Sequence, residues 1–177
     1  MELKGSQTEK QLWQAFAGES QARTKYTLWS ETARREGYEQ IGAIFEETAA
    51  NELAHAKMLF RFLGGLSTTE ENLKRAAEGE HYEWTDMYKK AHEVAKQEGF
   101  TQIATFLKEV AKVEQAHETR YNKLIENLQK SLVFSRPEEQ QWHCRNCGYL
   151  HTGKTAPEVC PACLHPQKYF ELYAQNY

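Results

Sequence analysis

Apolar residues recur along the first three quarters of the chain at alternating intervals of four and three. The clearest run is Ile41, Phe45, Thr48, Glu52, His55, Leu59 and Phe62, the pattern of the inward seam of a bundle helix. Two ionisable groups stand there where leucine is expected. The arrangement returns as Ile103, Leu107, Val110, Glu114, His117, Tyr121 and Leu124. A buried carboxylate without a partner costs several kcal/mol or takes up a proton. Two such intrusions in matching places therefore ask for a common counter-charge, and a metal ion is the first candidate.

The remaining pattern supplies two more helices. The first helix of the chain is predicted to begin near Ser6 to Thr8, either hydroxyl serving as N-cap, and to run to Glu36, where Gly37 offers a left-handed stop. Its stripe of Leu12, Phe16, Glu19, Arg23, Tyr26 and Ala33 again carries a carboxylate. The second runs from about Tyr38 to Leu63 and ends at Gly64-Gly65. A third opens around Ser67 to Glu71 and reaches about Gln97, with Glu80 and Glu83 adjacent on one face; a fourth follows Gly99 and continues to about Lys130. Short connections predict antiparallel neighbours and one closed core of four helices.

An internal repeat supports this plan. Glu36-Gly37-Tyr38-Glu39-Gln40-Ile41 is echoed by Glu98-Gly99-Phe100-Thr101-Gln102-Ile103, and the same offset of 62 residues maps Tyr26 on Tyr88, Glu52 on Glu114 and His55 on His117. The register slips once: Gly18-Glu19 corresponds to Gly79-Glu80 at an offset of 61. The extra residue between Glu80 and Tyr88 predicts a π-bulge, a feature that favours functional sites.

After Lys130 the helical pattern stops. Ser135 to Gln141 reads as a polar linker containing Pro137. The remainder, Trp142 to Tyr177, is too short to hold a fold by apolar burial alone and needs a staple. The expected organisation is therefore a helical domain over 1–134, a linker over 135–141 and a small module over 142–177.

Composition narrows the function classes. The chain has 177 residues, 40% hydrophobic and 27% charged, with a net charge of -3. That balance gives no support for nucleic-acid binding, and no apolar run approaches bilayer length. The first residues lack an apolar export signal, so the expected location is the cytoplasm. All four cysteines lie in the tail, in two Cys-x-x-Cys pairs, Cys144/Cys147 and Cys160/Cys163. Two such turns can aim four thiolates at one cation, a strong signal for a metal that leaves zinc and iron open. Trp142, Tyr149, Tyr169, Phe170 and Tyr173 are expected to form the small core around it.

In the helical part, a Glu-x-x-His pair on each of two helices and a carboxylate on each of the other two is the ligand set of two-metal carboxylate proteins. Three-residue spacing stacks both side chains on one helix face. Glu19, Glu52, His55, Glu80, Glu114 and His117 make that set, and Glu83 is a fifth carboxylate beyond it. Five glutamates contribute about -5 against +4 for two divalent or +6 for two trivalent ions, so such a site passes through neutrality on oxidation. Tyr26 and Tyr88 are candidates to hydrogen-bond the ligands, with core aromatics the alternative. Gly18 and Gly79 each precede a ligand, suggesting tight packing there. His81, His92, His143, His151 and His165 fall on no stripe and read as surface residues.

These residues together resemble the rubrerythrins along essentially the whole chain. The resemblance is carried by Ala15 to Arg23 (AFAGESQAR), the two Glu-x-x-His pairs, Gly79-Glu80-His81-Tyr82-Glu83, and the two cysteine turns. It implies an all-α fold, a ferritin-like antiparallel four-helix bundle holding two irons, followed by a small rubredoxin-like β/loop domain with one iron on Cys144, Cys147, Cys160 and Cys163, where zinc can substitute. By the same resemblance the di-iron ligands are Glu19, Glu52, His55, Glu80, Glu83, Glu114 and His117. It further implies a peroxidase that reduces hydrogen peroxide to water, fed by rubredoxin or NAD(P)H-linked reductases, working as a homodimer or higher homo-oligomer in oxidative-stress defence. One iron would move between Glu83 and His55 on redox change, making Glu52 the constant ligand. The chain departs from the family pattern at Lys89, where proline is frequent, and at Leu164, where glycine is favoured. Iron storage in a hollow shell and a structural zinc ribbon on an idle bundle are the competing classes; iron counting and visible colour separate them.

Overall fold

The computed structural model describes Glu2 to Asn176, and it divides into two compact units that meet in sequence at Thr68 and Thr69. The first is a helical hairpin, α1 (Gln7–Arg35) and α2 (Glu39–Phe62). Ser6 caps α1 by accepting from the Glu9 amide at 3.1 Å, while the Glu9 carboxylate reaches back to the Gly5 amide at 2.6 Å, a close relative of the capping box. The turn into α2 closes with Gly37 at φ +89° and the Tyr38 amide donating to the Ala33 carbonyl at 2.9 Å.

The second unit repeats this plan with one change. Helix α3 (Thr69–Tyr82) passes through a π-helical segment (Glu83–Met87) into α4 (Tyr88–Gln97), and α5 (Thr101–Gln129) returns beside them. The turn before α5 again has a left-handed glycine, Gly99 at φ +85°, with the Phe100 amide on the Ala95 carbonyl at 2.8 Å. The extra residue is absorbed as the repeat predicts: the Tyr88 amide donates to the Glu83 carbonyl five residues back.

Burial corrects one expectation. In each hairpin the buried positions are small residues: Ser30, Ala33, Gly42, Ala49 and Ala56 in the first, Ala77, Ala95 and Ala104 in the second. Gly42, Ala49 and Ala56 recur every seven residues, and a Cβ on Gly42 would lie 2.7 Å from the Arg34 Cγ. The predicted large-residue stripe is a neighbouring face. Ile41 is 48% exposed, Phe62 61%, Ile103 52% and Leu124 43%. The physical reason is that two helices share one narrow seam, and an apolar stripe beside it needs a further layer to bury it.

A second repeat pair ties each hairpin near its turn. The Ser30 hydroxyl donates to the Gly42 carbonyl at 2.8 Å, and His92 Nδ1 lies 2.8 Å from the Ala104 carbonyl oxygen. His92 occupies Ser30's place at the offset of 62, so it is a structural tie with 23% of its side chain exposed rather than a surface histidine. Gly18 and Gly79 also differ from expectation, because a Cβ at either would meet nothing within 4 Å.

The C-terminal module is a three-stranded antiparallel sheet of order β2-β1-β3, with β1 (Ser135–Cys144), β2 (Leu150–Thr155) and β3 (Phe170–Leu172). The segment read as a polar linker, 135–141, is the first part of β1. Its pairing with β2 is irregular between Ser135 and Gln140, the stretch that contains Pro137, whose nitrogen carries no hydrogen for a ladder. Trp142 and Phe170 are buried with Cys144, Cys160 and Ala156, while Tyr149 and Tyr169 pack partly against them. Tyr173 instead rests its ring 5.8 Å from that of His143. Among the described residues no helix is long and apolar enough to cross a membrane.

Candidate metal centres

Each hairpin assembles a carboxylate, a carboxylate and an imidazole. In the first, Glu19 from α1 and Glu52 and His55 from α2 bring ligand atoms within 4.8 Å of one another. His55 Nδ1 is 2.9 Å from Glu52 and 3.9 Å from Glu19. In the second, Glu80 from α3 joins Glu114 and His117 from α5 within the same limit, with His117 Nδ1 2.7 Å from Glu114 and 3.6 Å from Glu80. The helical repeat thus delivers two copies of one donor set.

The carboxylates are held against their own repulsion. Glu19 is raised above its ordinary range by the hydrogen bond it shares with Glu52, then by burial and by the Glu52 charge, against the pull of His55. Burial comes first for Glu80, followed by its hydrogen bond with Glu114 and the charges of Glu114 and Glu83. Two carboxylates crowded against each other form a site that a cation relieves, and hard oxygens with one imidazole nitrogen suit iron or manganese. Each triad therefore fits a metal ion.

Glu83 lies on the π segment and is not among the three residues whose ligand atoms converge, yet its charge acts on both Glu80 and Tyr88. Tyr88 is raised by burial first and then by the charges of Glu83, Glu114 and Glu80. Tyr26, its repeat partner, packs its ring 5.5 Å from Trp29 and 6.1 Å from Phe45. The two tyrosines therefore differ in surroundings.

A further cluster was missed by the sequence reading. Glu118, the residue after His117, accepts from Trp84 Nε1 at 2.5 Å and lies 3.1 Å from His81 Nδ1. The Trp84 bond, then His81, hold its carboxylate below the usual range. The signal that was available is a break in the repeat, since Glu118 stands where the first hairpin has the buried Ala56.

In the tail, the turns at Cys144–Cys147 and Cys160–Cys163 face each other, and all four Sγ atoms lie within 4.8 Å of one another. The Cys144–Cys163 and Cys147–Cys160 separations are 3.8 and 3.7 Å. A tetrahedron with metal–sulfur bonds of about 2.3 Å has edges of about 3.8 Å, so the thiols already stand at the corners of a metal site. The backbone N–H of His165 pulls Cys163 down to about 6. At Cys147 the Tyr149 backbone N–H pulls downward but is outweighed by the neighbouring thiols, Cys163 first, and by burial, which push it up to about 12. In the first turn Gly148 supplies the left-handed residue at φ +80°; in the second, Leu164 takes φ +60° and is 78% exposed. A side chain in that region costs of order 1 kcal/mol or more, yet the Leu164 amide donates to the Cys160 carbonyl at 2.9 Å just as the Gly148 amide does to that of Cys144.

Fold and sites together define a helical carboxylate metalloprotein with an appended four-thiolate module, and the comparisons say which one. The family described as Rubrerythrin matches residues 10–125, and the family described as Rubrerythrin, rubredoxin-like domain matches residues 142–171. The rubrerythrin of Porphyromonas gingivalis is 50% identical over 99% of this chain and 94% of that protein. That of Nitratidesulfovibrio vulgaris is 44% identical over 99% and 98%. The solved structure "Partially Reduced State of Nigerythrin" aligns with 95% of this chain and 87% of that one, at 30% identity and a TM-score of 0.37. The chain belongs to the rubrerythrin family. It is an oxidoreductase of the all-α, ferritin-like class whose cofactors are a di-iron site and an iron on four cysteines.

Proposed function

We propose that the protein is a hydrogen peroxide reductase in which Glu19, Glu52, His55, Glu80, Glu83, Glu114 and His117 hold a di-iron centre and Cys144, Cys147, Cys160 and Cys163 hold the iron that refills it with electrons. The observation that carries this reading is the duplicated carboxylate–carboxylate–imidazole set, each copy three residues of one donor chemistry within 4.8 Å, beside a tetrathiolate cluster in the same chain. The helical domain, 1–134, does the chemistry and the module that begins with β1 at Ser135 relays electrons.

When bound, the iron pair supplies the two electrons that cleavage of the peroxide O–O bond consumes. The chain's own groups do the rest. Glu52 and Glu114 are the least exposed of the six triad residues, at 16% and 13% of the side chain, which suits constant ligands. His55 is 60% exposed where His117 is 35%, which suits a ligand that binds in one redox state only, alternating with Glu83. Tyr88, protonated throughout the physiological range because burial and three carboxylates oppose its ionisation, is a hydrogen-bond donor beside the reacting oxygen. Electrons arrive from a rubredoxin or an NAD(P)H-linked reductase in the cytoplasm, and the working form is a homodimer or higher homo-oligomer, an arrangement favoured by the exposed apolar stripe on each hairpin.

Rapid mixing of the fully reduced, fully metallated protein with hydrogen peroxide tests the assignment. The expected result is loss of two electrons per di-iron site within milliseconds to seconds, water as the product, and later bleaching of the ferric four-thiolate colour on addition of reductant. A reduced protein that leaves peroxide untouched overturns it.

A further inference from the structure

The π segment that carries Glu83 is tied to the opposite helix through one carboxylate. Glu118 Oε2 accepts from Trp84 Nε1 at 2.5 Å, and Glu118 Oε1 lies 3.1 Å from His81 Nδ1. The His81 and Trp84 rings meet edge to face, 5.5 Å apart at 81°. Within the segment the Thr85 hydroxyl also donates to the His81 carbonyl at 2.6 Å. Each of the three tied residues is the immediate successor of a proposed ligand: His81 follows Glu80, Trp84 follows Glu83, and Glu118 follows His117. The tie therefore runs alongside the metal donors, one helical step round from them.

A π-bulge needs such a device. It spends an extra residue in one turn, and nothing in the helical hydrogen-bond pattern alone fixes which turn that is. Displaced by one residue, it changes where the Glu83 side chain points. Trp84 has only one donor and sits inside the segment, so anchoring it across to α5 fixes the position of the bulge. The first hairpin offers the control. Its equivalents of His81, Trp84 and Glu118 are Ser20, Arg23 and Ala56, its equivalent of Glu83 is Ala22, and α1 runs unbroken. The tie appears only in the copy that has a bulge to hold.

We propose that Glu118 is a positioning residue: through Trp84 and His81 it pins the π segment so that Glu83 is presented to the di-iron centre. The proposal rests on the di-iron reading above, and its test keeps the two apart. Amide hydrogen exchange is measured on the metal-free full-length protein, and cobalt(II) is titrated into it, cobalt on the four thiolates being counted separately by its sulfur charge-transfer absorption. Glu118→Ala and Trp84→Phe are expected to speed exchange of the Tyr88 amide, the donor of the π bond, by about tenfold or more, and to weaken one helical cobalt site by about tenfold to a hundredfold, the usual effect of losing an outer partner. Glu118→Gln, which keeps an acceptor for Trp84, is expected to stay within about threefold of wild type. In a Glu83→Ala background, Glu118→Ala is expected to add little further loss of cobalt affinity, because both act through one carboxylate.

Unchanged Tyr88 exchange overturns the proposal. So does a full additional loss on the Glu83→Ala background, or a Glu118→Gln variant as impaired as Glu118→Ala. A wild-type protein that takes up no cobalt in its helices overturns the di-iron reading instead, while exchange still decides whether the tie holds the segment.

Discussion

The two hairpins share a plan down to single hydrogen bonds, and differ at one inserted residue and the groups around it. In the first, α1 is 29 residues of unbroken α-helix, and its donor set ends in a histidine with 60% of its side chain exposed. In the second, the equivalent helix carries a five-residue π segment with an extra glutamate, a tie from Glu118, and a histidine at 35%. Duplication supplies two matching donor triads; the insertion brings an extra carboxylate, Glu83, whose charge acts on one of them. On the proposed ligand set, a symmetric metal pair would hold either charge state equally at both ions, whereas a third carboxylate on one side and a more exposed imidazole on the other would give the two ions different options.

The largest effect tests what the hairpins have in common. Glu52→Ala and Glu114→Ala remove equivalent carboxylates that sit 2.9 and 2.7 Å from their own histidines. Each is expected to abolish stable retention of the iron pair, leaving about one iron per chain on the cysteines, as read by metal analysis after desalting. Full iron content in either variant breaks the symmetry argument at its base.

Next come the differences. Glu83→Ala is expected to keep the iron pair but to lose most peroxidase turnover, roughly tenfold or more, since it removes the donor that only the second hairpin has. Equal turnover in wild type and variant removes Glu83 from the working site. Deleting Thr85 is a subtler test, because it brings the second hairpin to a uniform offset from the first and converts the π turn to α. The expected outcome is unchanged helix content by circular dichroism, retained iron, and turnover lowered toward that of Glu83→Ala.

Much of this was legible in the sequence because it rests on period and repeat. The hairpins, their turns at Gly37 and Gly99, the donor triads, the π-bulge and the cysteine cluster all follow from spacing that local geometry converts directly into position. What escaped were features decided by packing. The stripe of Ile41 and Ile103 was read as the inward seam of a bundle helix, and the small residues that close each hairpin, Gly42, Ala49 and Ala56 in the first, went unread, since close approach of two helices selects for small residues that carry little hydrophobic signal. The strand at 135–141 escaped because its side chains are polar and exposed, and pairing with β2 is a backbone matter. Glu118 and His92 escaped for a shared reason: each is a polar residue at a place where the other repeat has a small one, and only the structure shows which partner it reaches.

The smallest effect bears on that last pair. Ser30 and His92 occupy equivalent positions and reach the equivalent carbonyls of Gly42 and Ala104, both at 2.8 Å. Losing a neutral hydrogen bond typically costs about 0.5–1.5 kcal/mol. The Gly42 carbonyl also belongs to the hydrogen-bond ladder of α2, so Ser30→Ala does not orphan it, and the loss should fall at the lower end, about 0.5 kcal/mol. His92→Ala removes the same bond together with a ring that is largely covered, its side chain 23% exposed, so it should cost about 1–2 kcal/mol, within the usual range for a partly buried truncation. Denaturant midpoints at constant m-value measure both. If the two variants lose the same amount, the imidazole contributes nothing beyond its hydrogen bond; if Ser30→Ala costs the more, the first hairpin relies on its turn tie more than the second. Either result redraws the comparison at the turns, where neither the insertion nor the metal donors intervene.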